Sequence, residues 1–472
     1  MKKINFASLF LRLKRGLKEA VLNFSLEKLF TFGIKTDMPQ RQLIAAYVGY
    51  AVVGFILLYL PSAHKGEIGI IDNLFTAVSA VSTTGLSTVD VATQYTFFGQ
   101  LVILMLIQMG GLGYMTLSAF IMLKMTGHCA KGNMKLFNAQ FAYPEGMDLQ
   151  ILLRGMVNYT FLFEFLGFLF LCPYFIFNDI SQPVWSAVFH SVSAFCTAGF
   201  SIYSDNLMQF HDDVYVNVVI MFLSLMGAMG FIMMTDIRNV FTRKHYKITF
   251  TSRVILAITG GLVVWGMLHL FFFEDSFRTM PVGERLLVSL FQSVSAMTTV
   301  GYNTVDISLL APISMFILLI AMYIGASPSG TGGGLKSTTL SAVYAYTKSK
   351  LQIRKDVSLK GNIIPHYRVE IALTTVLFYT FILIFGIYLI GMFEPDSVSF
   401  LDIAFEAASA LATAGLSSGI LIDMTAAGKI VIIIMMLIGR VGVITFGNAL
   451  LIHHSKNNVC EKGCDIGCVN SH

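Results

Sequence analysis

The fold is decided by a seven-residue stretch, Ser79-Ala80-Val81-Ser82-Thr83-Thr84-Gly85, whose pattern returns three more times along the chain. The shared pattern is Ser-Ala-x-x-Thr-x-Gly, and its later copies are Ser193–Gly199, Ser295–Gly301 and Ser409–Gly415. The four closing glycines are separated by 114, 102 and 114 residues. Regular recurrence of this kind indicates an internally repeated architecture, so we predict four structural repeats within one chain.

The sequence around these motifs is too apolar for a water-soluble protein. Of 472 residues, 55% are hydrophobic and only 12% are charged, and the mean hydropathy is +0.72. This composition excludes several soluble domains, a disordered chain, a collagen-like fibre and a disulfide scaffold. A membrane-crossing helix needs about 20 apolar residues. Eight stretches meet or approach that length: Leu43–Leu60, Thr96–Leu123, Leu152–Phe177, Val214–Asp236, Val254–Phe273, Leu309–Tyr346, Val369–Phe393 and Ala426–Ile452.

Each motif lies between two of these stretches, so the repeating unit is a span, a short half-helix, a loop and a second span. We predict an all-α membrane protein with eight transmembrane helices, arranged as four such repeats around one pseudo-fourfold pore. The expected domains are an amphipathic N-terminal segment (1–40), repeat 1 (41–126), repeat 2 (150–241), repeat 3 with a broken second span (251–348), repeat 4 (368–454) and a tail (455–472).

Charge is sorted between the two sides of the predicted membrane. The tails and the connections opposite the motifs hold 27 of the 32 lysines and arginines, whereas the motif side has sixteen acidic and four basic residues. By the positive-inside rule, both termini are then cytoplasmic in a multi-pass protein of the cell membrane. The acidic outer face concentrates cations. Apolar residues at helical spacing within the basic segment Met1–Lys35 are typical of a helix lying on the bilayer surface, with a partner-binding helix as the alternative.

The motifs predict a path for cations. A short helix that points inward places about half a negative charge at its C-terminus, and the carbonyls of the following Thr-x-Gly can replace the hydration shell of an ion. Close helix packing by small residues is the competing explanation, but it accounts for one or two copies and not for four on one face. The candidate ligands are Thr83, Thr84, Gly85, Thr197, Ala198, Gly199, Thr299, Val300, Gly301, Thr413, Ala414 and Gly415.

The sixth apolar stretch is interrupted by Gly325–Gly334, which has five glycines and a proline in ten residues and cannot form a regular helix. A nucleotide-binding loop is the competing interpretation, but it requires glycine where Leu335 stands and a βαβ setting. We predict an intramembrane loop beneath the ligand ring that acts as a gate. Its candidate residues are Gly325, Ser327, Pro328, Gly330, Gly332, Gly333 and Gly334.

Two ionisable residues lie deep within the apolar stretches. Charges at such depth normally face the protein interior or a watery cavity. We expect Arg440 to donate hydrogen bonds to carbonyls of the Gly325–Gly334 loop and to add a positive barrier, and a snorkelling arginine is the alternative. For Glu164, we expect a structural hydrogen bond or a protonated carboxyl in preference to a coupling-ion site. In the tail, the spacing of Cys460, Cys464 and Cys468 matches no standard zinc site, so reduced thiols are expected, with metal or redox sensing as the alternative.

Together, these features resemble the Trk/Ktr/HKT superfamily of cation transporters, and within it the bacterial KtrB-type (KtrB/KtrD) potassium uptake subunits. The resemblance extends from about Leu43 to His454 and rests on the four motifs, on Ser327–Ser337 and on Ile438–Gly442. It implies potassium as the transported ion, because potassium-selective members carry glycine at the position of Gly85 where sodium-selective members carry serine. It also implies a homodimer, a cytosolic nucleotide-binding ring of RCK-type (KtrA-like) subunits, and stimulation by sodium in many members.

The function expected from the sequence is gated potassium uptake down the electrochemical gradient of the ion. The alternative within transport is a sodium-permeant or sodium-coupled transporter of the same fold. An intramembrane enzyme would need paired aspartates, a Ser/His pair or metal ligands within the spans, where only Glu164 and Arg440 are ionised candidates, so we expect no enzyme. A scaffold or receptor is the third class. The lipid bilayer is an expected partner and nucleic acid is not.

Overall fold

The structure is a computed structural model of the chain, and it describes residues 39–113, 149–242, 247–354 and 356–451. Three sequence predictions lie wholly or partly outside these ranges. They are the amphipathic segment up to residue 38, the part of the second apolar stretch beyond Gly113, and the tail from residue 452 with its three cysteines.

The described residues are almost entirely helical or in loops. In chain order, the helices are α1 (Pro39–Leu58), α2 (Ile70–Ser82), α3 (Phe97–Leu112), α4 (Leu149–Phe177), α5 (Pro183–Phe195), α6 (Val214–Thr242), α7 (Phe250–Phe273), α8 (Val282–Thr298), α9 (Pro312–Ile324), α10 (Ser337–Leu351), α11 (His366–Phe393), α12 (Phe400–Leu411), α13 (Ala426–Val441) and α14 (Val443–Leu451). Single helical turns lie at Val91–Gln94, Met208–Phe210, Asp275–Phe277 and Ile307–Leu309. A two-stranded hairpin of β1 (Ser358–Leu359) and β2 (Asn362–Ile363) connects α10 to α11.

Five helices within the described ranges are long and apolar enough to cross a membrane: α1, α4, α6, α7 and α11. The pair α13 and α14 would make a sixth crossing, while α3 and α9 are shorter apolar helices of 16 and 13 residues. In α7 and α11, only 22% of the apolar window is buried, so most of their apolar surface faces outward, as in helices that contact lipid. The predicted helical membrane class is therefore confirmed, and the count of eight crossings stays a prediction.

Glycines break the second helix of each predicted repeat. In every case, a glycine with positive φ ends the regular helical geometry, at Gly113 (φ 76°), Gly230 (75°), Gly325 (65°) and Gly442 (91°). The last break differs from the sequence expectation of a continuous span Ala426–Ile452, because α14 turns away from α13 by 98° at Gly442. Glycine allows such a turn because it has no Cβ to collide with the backbone.

Four short helices, α2, α5, α8 and α12, form the interior. Each packs against the helices that precede and follow it in its own predicted repeat. In addition, the second helix of each repeat packs on the short helix of the next repeat: α3 on α5, α6 on α8, α9 on α12 and α13 on α2. The arrangement is therefore cyclic, with the C-terminal ends of all four short helices directed toward one central region.

Candidate cation pathway

All four short helices end in the same way at the motif threonine. In the first repeat, the N–H of Thr83 donates to the Ala80 carbonyl (3.1 Å) and that of Thr84 donates to the Ser79 carbonyl (2.9 Å). The same two bonds recur in the other repeats at 2.8–3.3 Å. This is the Schellman pattern of helix termination, and it explains why the spacing from Ser-Ala to Thr is constant.

The residue that occupies the left-handed position of this turn is unusual. Thr83, Thr197, Thr299 and Thr413 have φ of 52°, 51°, 56° and 46°, where glycine is the common residue. A non-glycine residue in this region costs on the order of 1–3 kcal/mol and persists only when its surroundings hold it there. Such strain, repeated four times at one place, is typical of a functional site. The sequence alone did not predict it.

The glycines that close the motifs bring the four loops into one ring. Their φ values are 94° at Gly85, 63° at Gly199, 83° at Gly301 and 83° at Gly415. A methyl group added to each of them would collide with a carbonyl oxygen of another loop. The colliding pairs are Gly85 with Ala198, Gly199 with Val300, Gly301 with Ala414, and Gly415 with Thr84. Because this series closes on itself, the structure brings the twelve predicted ligand residues together around one axis.

The ring is shielded from solvent and rich in oxygen atoms. Each of its threonine, alanine and valine residues is at most 1% exposed. Within the described part of the chain, the Oγ1 atoms of Thr83 and Thr413 are buried without a hydrogen-bond partner. The described residues contain no group of three His, Cys, Asp or Glu side chains placed to hold a metal ion. The oxygens of the ring residues are backbone carbonyls and threonine hydroxyls, and these ligands suit a dehydrated monovalent cation.

The Gly325–Gly334 loop lies against the inner ends of the short helices. Its Thr331 Oγ1 donates to the Phe195 carbonyl (3.0 Å) at the end of α5, and its Gly333 N–H donates to Thr299 Oγ1 (2.8 Å). A methyl group on Gly333 would collide with the Ala412 carbonyl. The loop therefore contacts three of the four short-helix termini.

The other side of the loop is bound to α6 near its bend. The N–H groups of Ser327 and Thr331 donate to the Ala228 (3.2 Å) and Gly227 (3.1 Å) carbonyls, and that of Phe231 donates to the Ser329 carbonyl (3.3 Å). Pro328 lies at the turn between these bonds, and Gly330 packs so closely on Ala228 that a methyl group would collide with the Ala228 carbonyl. Seven of the eight predicted gate residues thus lie in a segment enclosed between α6 and the ring, and the eighth, Arg440, lies in α13.

Arg440 joins this loop to two other repeats. Its Nη1 donates to the Thr331 carbonyl at 2.7 Å, and its Nη2 donates to the carbonyls of Gly110 and, at 3.4 Å, Gly111. The expected hydrogen bond between this arginine and the loop is therefore present, and its guanidinium is turned inward. It links backbone oxygens of repeats 1 and 3 from a helix of repeat 4.

A second cation lies at the same place, although the sequence did not identify it as a site residue. Lys336 falls within the sixth apolar stretch, and its Nζ donates to the Gly332 (2.5 Å) and Gly333 (3.3 Å) carbonyls. The reason is the backbone of Lys336 itself, whose φ of 84° folds the chain back over the loop before α10 begins. A lysine at the start of an apolar helix carries no local signal for such a turn.

Glu164 has the structural hydrogen bonds expected of it. Gln108 Nε2 donates to Glu164 Oε2 at 3.2 Å, and the Cys196 thiol donates to Oε1 at 3.6 Å. Cys196 directly precedes the ring residue Thr197, so this buried group connects α3 and α4 to the second loop. Glu164 is buried, and its partners come from α3 and from the residue that follows α5.

Comparison with known proteins agrees with this geometry. Residues 18–461 match the family model described as TrkH, cation transport protein. The chain is 34% identical to the Ktr system potassium uptake protein D of Bacillus subtilis over 87% of its own length and 92% of that protein. It is 32% identical to the potassium/sodium uptake protein NtpJ of Enterococcus hirae, over 90% of this chain and 95% of that protein.

A solved structure supports the fold. The potassium transporter TrkH from Vibrio parahaemolyticus superposes with a TM-score of 0.70 at 19% identity, covering 88% of this chain and 85% of that one. The resemblance to the Trk/Ktr superfamily drawn from the motifs is thereby confirmed. Because the family model matches nearly the whole sequence, the chain belongs to the TrkH family of cation transport proteins.

Proposed function

We propose that this protein takes up potassium across the cell membrane through the ring of four Thr-x-Gly segments. The observation that carries the proposal is the closed series of contacts in which each motif glycine abuts a carbonyl of another loop. Names of relatives at 34% and 32% identity, which describe potassium uptake and potassium/sodium uptake, support the same ion class. As a member of a cation-transporter family, the chain is a transporter and not an enzyme, in agreement with the sequence.

In this proposal, each repeat crosses the membrane twice, giving eight crossings with both termini in the cytoplasm. The repeats have the boundaries predicted from the sequence, 41–126, 150–241, 251–348 and 368–454. In the third repeat, α9, the Gly325–Gly334 loop and α10 together make one crossing. The short helices enter from the acidic outer side, and their C-termini direct a partial negative charge at the ion.

Selectivity for potassium arises at the carbonyls of the ring. Gly85 keeps the first loop close to the second, because any side chain at this position would occupy the space of the Ala198 carbonyl. The alternative is a transporter of the same fold that also passes sodium or couples potassium uptake to sodium. The name of the potassium/sodium relative supports this alternative. Sodium as an activator is a further part of the proposal.

The Gly325–Gly334 loop acts as the gate, and the arrangement described above is its closed form. It lies directly beneath the ring, where the guanidinium of Arg440 adds a positive charge that opposes the passage of a cation and Lys336 Nζ holds the loop carbonyls. A cavity of about 50 Å³ adjoins Ser329, Gly330 and Thr331 on the side of α4 and α6. Opening requires the loop to leave the short-helix termini, and this cavity lies next to the segment that must move.

The cytoplasmic face binds a regulatory partner. The exposed basic residues at the end of α10, in the connection that follows and at the start of α11 form a positive surface that suits an acidic or nucleotide-loaded ring of RCK-type subunits. These residues are Lys348, Lys350, Arg354, Lys360 and Arg368. Two copies of the chain form a homodimer in the bilayer, and each copy has its own ring of four Thr-x-Gly segments.

The test is ion uptake by the purified protein in liposomes, measured with potassium, rubidium and sodium. We expect uptake of potassium and rubidium above that of sodium. Gly85→Ser should reduce potassium uptake and its ratio to sodium, because the new side chain meets the Ala198 carbonyl. Gly419→Ser is a matched control, since Gly419 has the same φ of 94° but no atom within 4 Å of an added Cβ.

Absence of any potassium flux, with or without added cytosolic extract, would refute the proposal. Equal effects of the two serine variants would refute only the role of Gly85, since the shared φ makes both substitutions equally strained in the backbone.

A further inference from the structure

The four short helices differ at one buried position. Seven residues before the motif threonine, they carry Thr76 in α2, His190 in α5, Gln292 in α8 and Glu406 in α12. Each is at most 1% exposed. The backbone around this position is the same in all four repeats, but the side chain is chemically different in each. Packing alone therefore does not determine which residue stands there.

In three repeats, this side chain reaches the outgoing half of its own loop. His190 Nε2 forms a hydrogen bond of 3.0 Å with the Ser201 hydroxyl, and Gln292 Nε2 donates to Thr304 Oγ1 at 3.2 Å. These hydroxyl residues stand two and three positions after the motif glycine.

Glu406 makes the strongest form of this contact. Its Oε1 accepts from the Ser418 N–H (2.7 Å) and from the hydroxyls of Ser417 (2.6 Å) and Ser418 (3.2 Å). Its Oε2 is buried and has no hydrogen-bond partner within the described residues. Three donors from two successive loop residues thus converge on one oxygen. A buried carboxyl that directs one oxygen at two successive loop residues fixes that loop firmly.

The first repeat lacks the contact. The Thr76 hydroxyl donates to the Asp72 carbonyl within its own helix at 3.0 Å. Thr88, three positions after Gly85, has a buried Oγ1 with no hydrogen-bond partner in the described part of the chain. A threonine side chain is too short to bridge the gap that histidine, glutamine and glutamate span, so this loop is not fastened to its helix at this point.

The outgoing half of each loop needs such fastening. The incoming half is held by the two backbone bonds of the Schellman turn, whereas the outgoing half is held by side chains. In two repeats the motif serine donates to the carbonyl that follows the motif glycine, Ser193 to Phe200 (2.9 Å) and Ser295 to Tyr302 (2.6 Å), and the buried side chain described above holds the next residues. The positions of carbonyls in a ring decide how well it replaces the hydration shell of one ion against another. A loop free to shift adapts to ions of more than one size.

We propose that Glu406, Gln292 and His190 are positioning residues that fix three of the four ring loops and thereby set the discrimination between potassium and sodium. The inference rests on the proposed role of the ring as the selectivity filter. The first loop, without this bond, is the adaptable quadrant. None of the three side chains touches the ion. Each acts through a hydroxyl residue that stands two or three positions after the motif glycine.

The test compares the ratio of rubidium to sodium uptake in liposomes among four variants. We expect Glu406→Leu to lower the ratio by about tenfold, because the three hydrogen bonds that Oε1 accepts from the loop are lost. Gln292→Leu should lower it by a smaller factor. Glu406→Gln should keep it within about twofold, since glutamine makes the corresponding contact in α8 and its Oε1 still accepts from Ser418. Thr76→Val, which breaks no bond to a loop, should leave it unchanged.

The outcomes separate the two claims. If the wild-type protein carries no potassium or rubidium, the proposed function fails, and this inference fails with it. If the wild-type protein is selective but Glu406→Leu and Gln292→Leu keep its ratio, the inference alone fails. A ratio in Glu406→Gln as low as in Glu406→Leu would also overturn it, because hydrogen bonding is then not what matters. If Glu406→Leu does not fold, Gln292→Leu decides, with its thermal midpoint compared with that of Thr76→Val.

Discussion

Replacing Arg440 by methionine should raise the rate of potassium uptake. Methionine has a similar length but neither the charge nor the donors of the guanidinium. In the structure, the bond that holds the Gly325–Gly334 loop is the one from Nη1 to the Thr331 carbonyl at 2.7 Å. The bonds from Nη2 reach Gly110 and Gly111 in α3, which is not part of the loop.

The size of the effect follows from this single bond. A hydrogen bond from a charged donor contributes about 1.5–3 kcal/mol when buried. Arg440 is only partly buried, so we take the lower end. A loss of about 1.4 kcal/mol changes an equilibrium about tenfold. The open fraction of a mostly closed gate, and the uptake rate with it, should therefore increase about tenfold. Loss of the positive barrier acts in the same direction.

The assay is the initial rate of rubidium uptake into liposomes at equal protein density. Arg440→Lys is the control that separates the two causes, because lysine keeps the charge but makes fewer bonds, so its rate should lie between the other two. A rate for Arg440→Met within twofold of the wild-type rate would refute the reasoning. The loop would then be held by its bonds to α6 and to the short helices alone.

Three further predictions concern bonds and close contacts near the ring. Thr331→Val removes the hydroxyl that donates to the carbonyl at the end of α5. The closed gate should lose about 0.5–1.5 kcal/mol of stability, so the uptake rate should rise several-fold in the same liposome assay. Gly439→Ala forces a methyl group against the last carbonyl of α12. This overpacking should cost about 1–3 kcal/mol of stability and lower the thermal midpoint. Gly391→Ala, with open space around the added methyl group, should leave the midpoint unchanged. Lys429→Met breaks the 2.9 Å ion pair with Asp72 and should cost more than the roughly 1 kcal/mol of an exposed pair, because the two side chains are only 12% and 23% exposed. A charge-reversed pair at both positions should restore the midpoint, and no restoration would contradict a direct interaction.

The repeated motif carried most of what the sequence could predict. Recurrence of Ser-Ala-x-x-Thr-x-Gly placed the ring residues in equivalent positions, and the backbone bonds that end each short helix are local, so they follow from a few neighbouring residues. The glycines and the proline of Gly325–Gly334 likewise exclude a regular helix through their own backbone preferences, without reference to distant residues. The guanidinium of Arg440 could be expected to turn inward because an exposed charge in lipid is costly.

What the sequence could not predict depends on contacts between distant segments. The fold-back of Lys336 is fixed by carbonyls of a loop whose path is itself set by α6. The bend of 98° after α13 arises at a glycine that could equally continue a helix. Equivalence of Thr76, His190, Gln292 and Glu406 is visible in the sequence once the motifs are aligned, but their bonds to the loops require the structure.

The last predicted repeat packs on the first. Each repeat therefore has the same two neighbours wherever along this cycle the chain begins. Lys429 in α13 pairs with Asp72 in α2, and Arg41 Nε in α1 donates to the Ala449 carbonyl in α14 at 2.9 Å. The seam between the ends of the chain thus repeats the packing of a second helix on the next short helix that forms the other three seams, and adds these two polar contacts. A circularly permuted gene that joins the present ends and opens the chain between α6 and α7 would keep every one of these contacts.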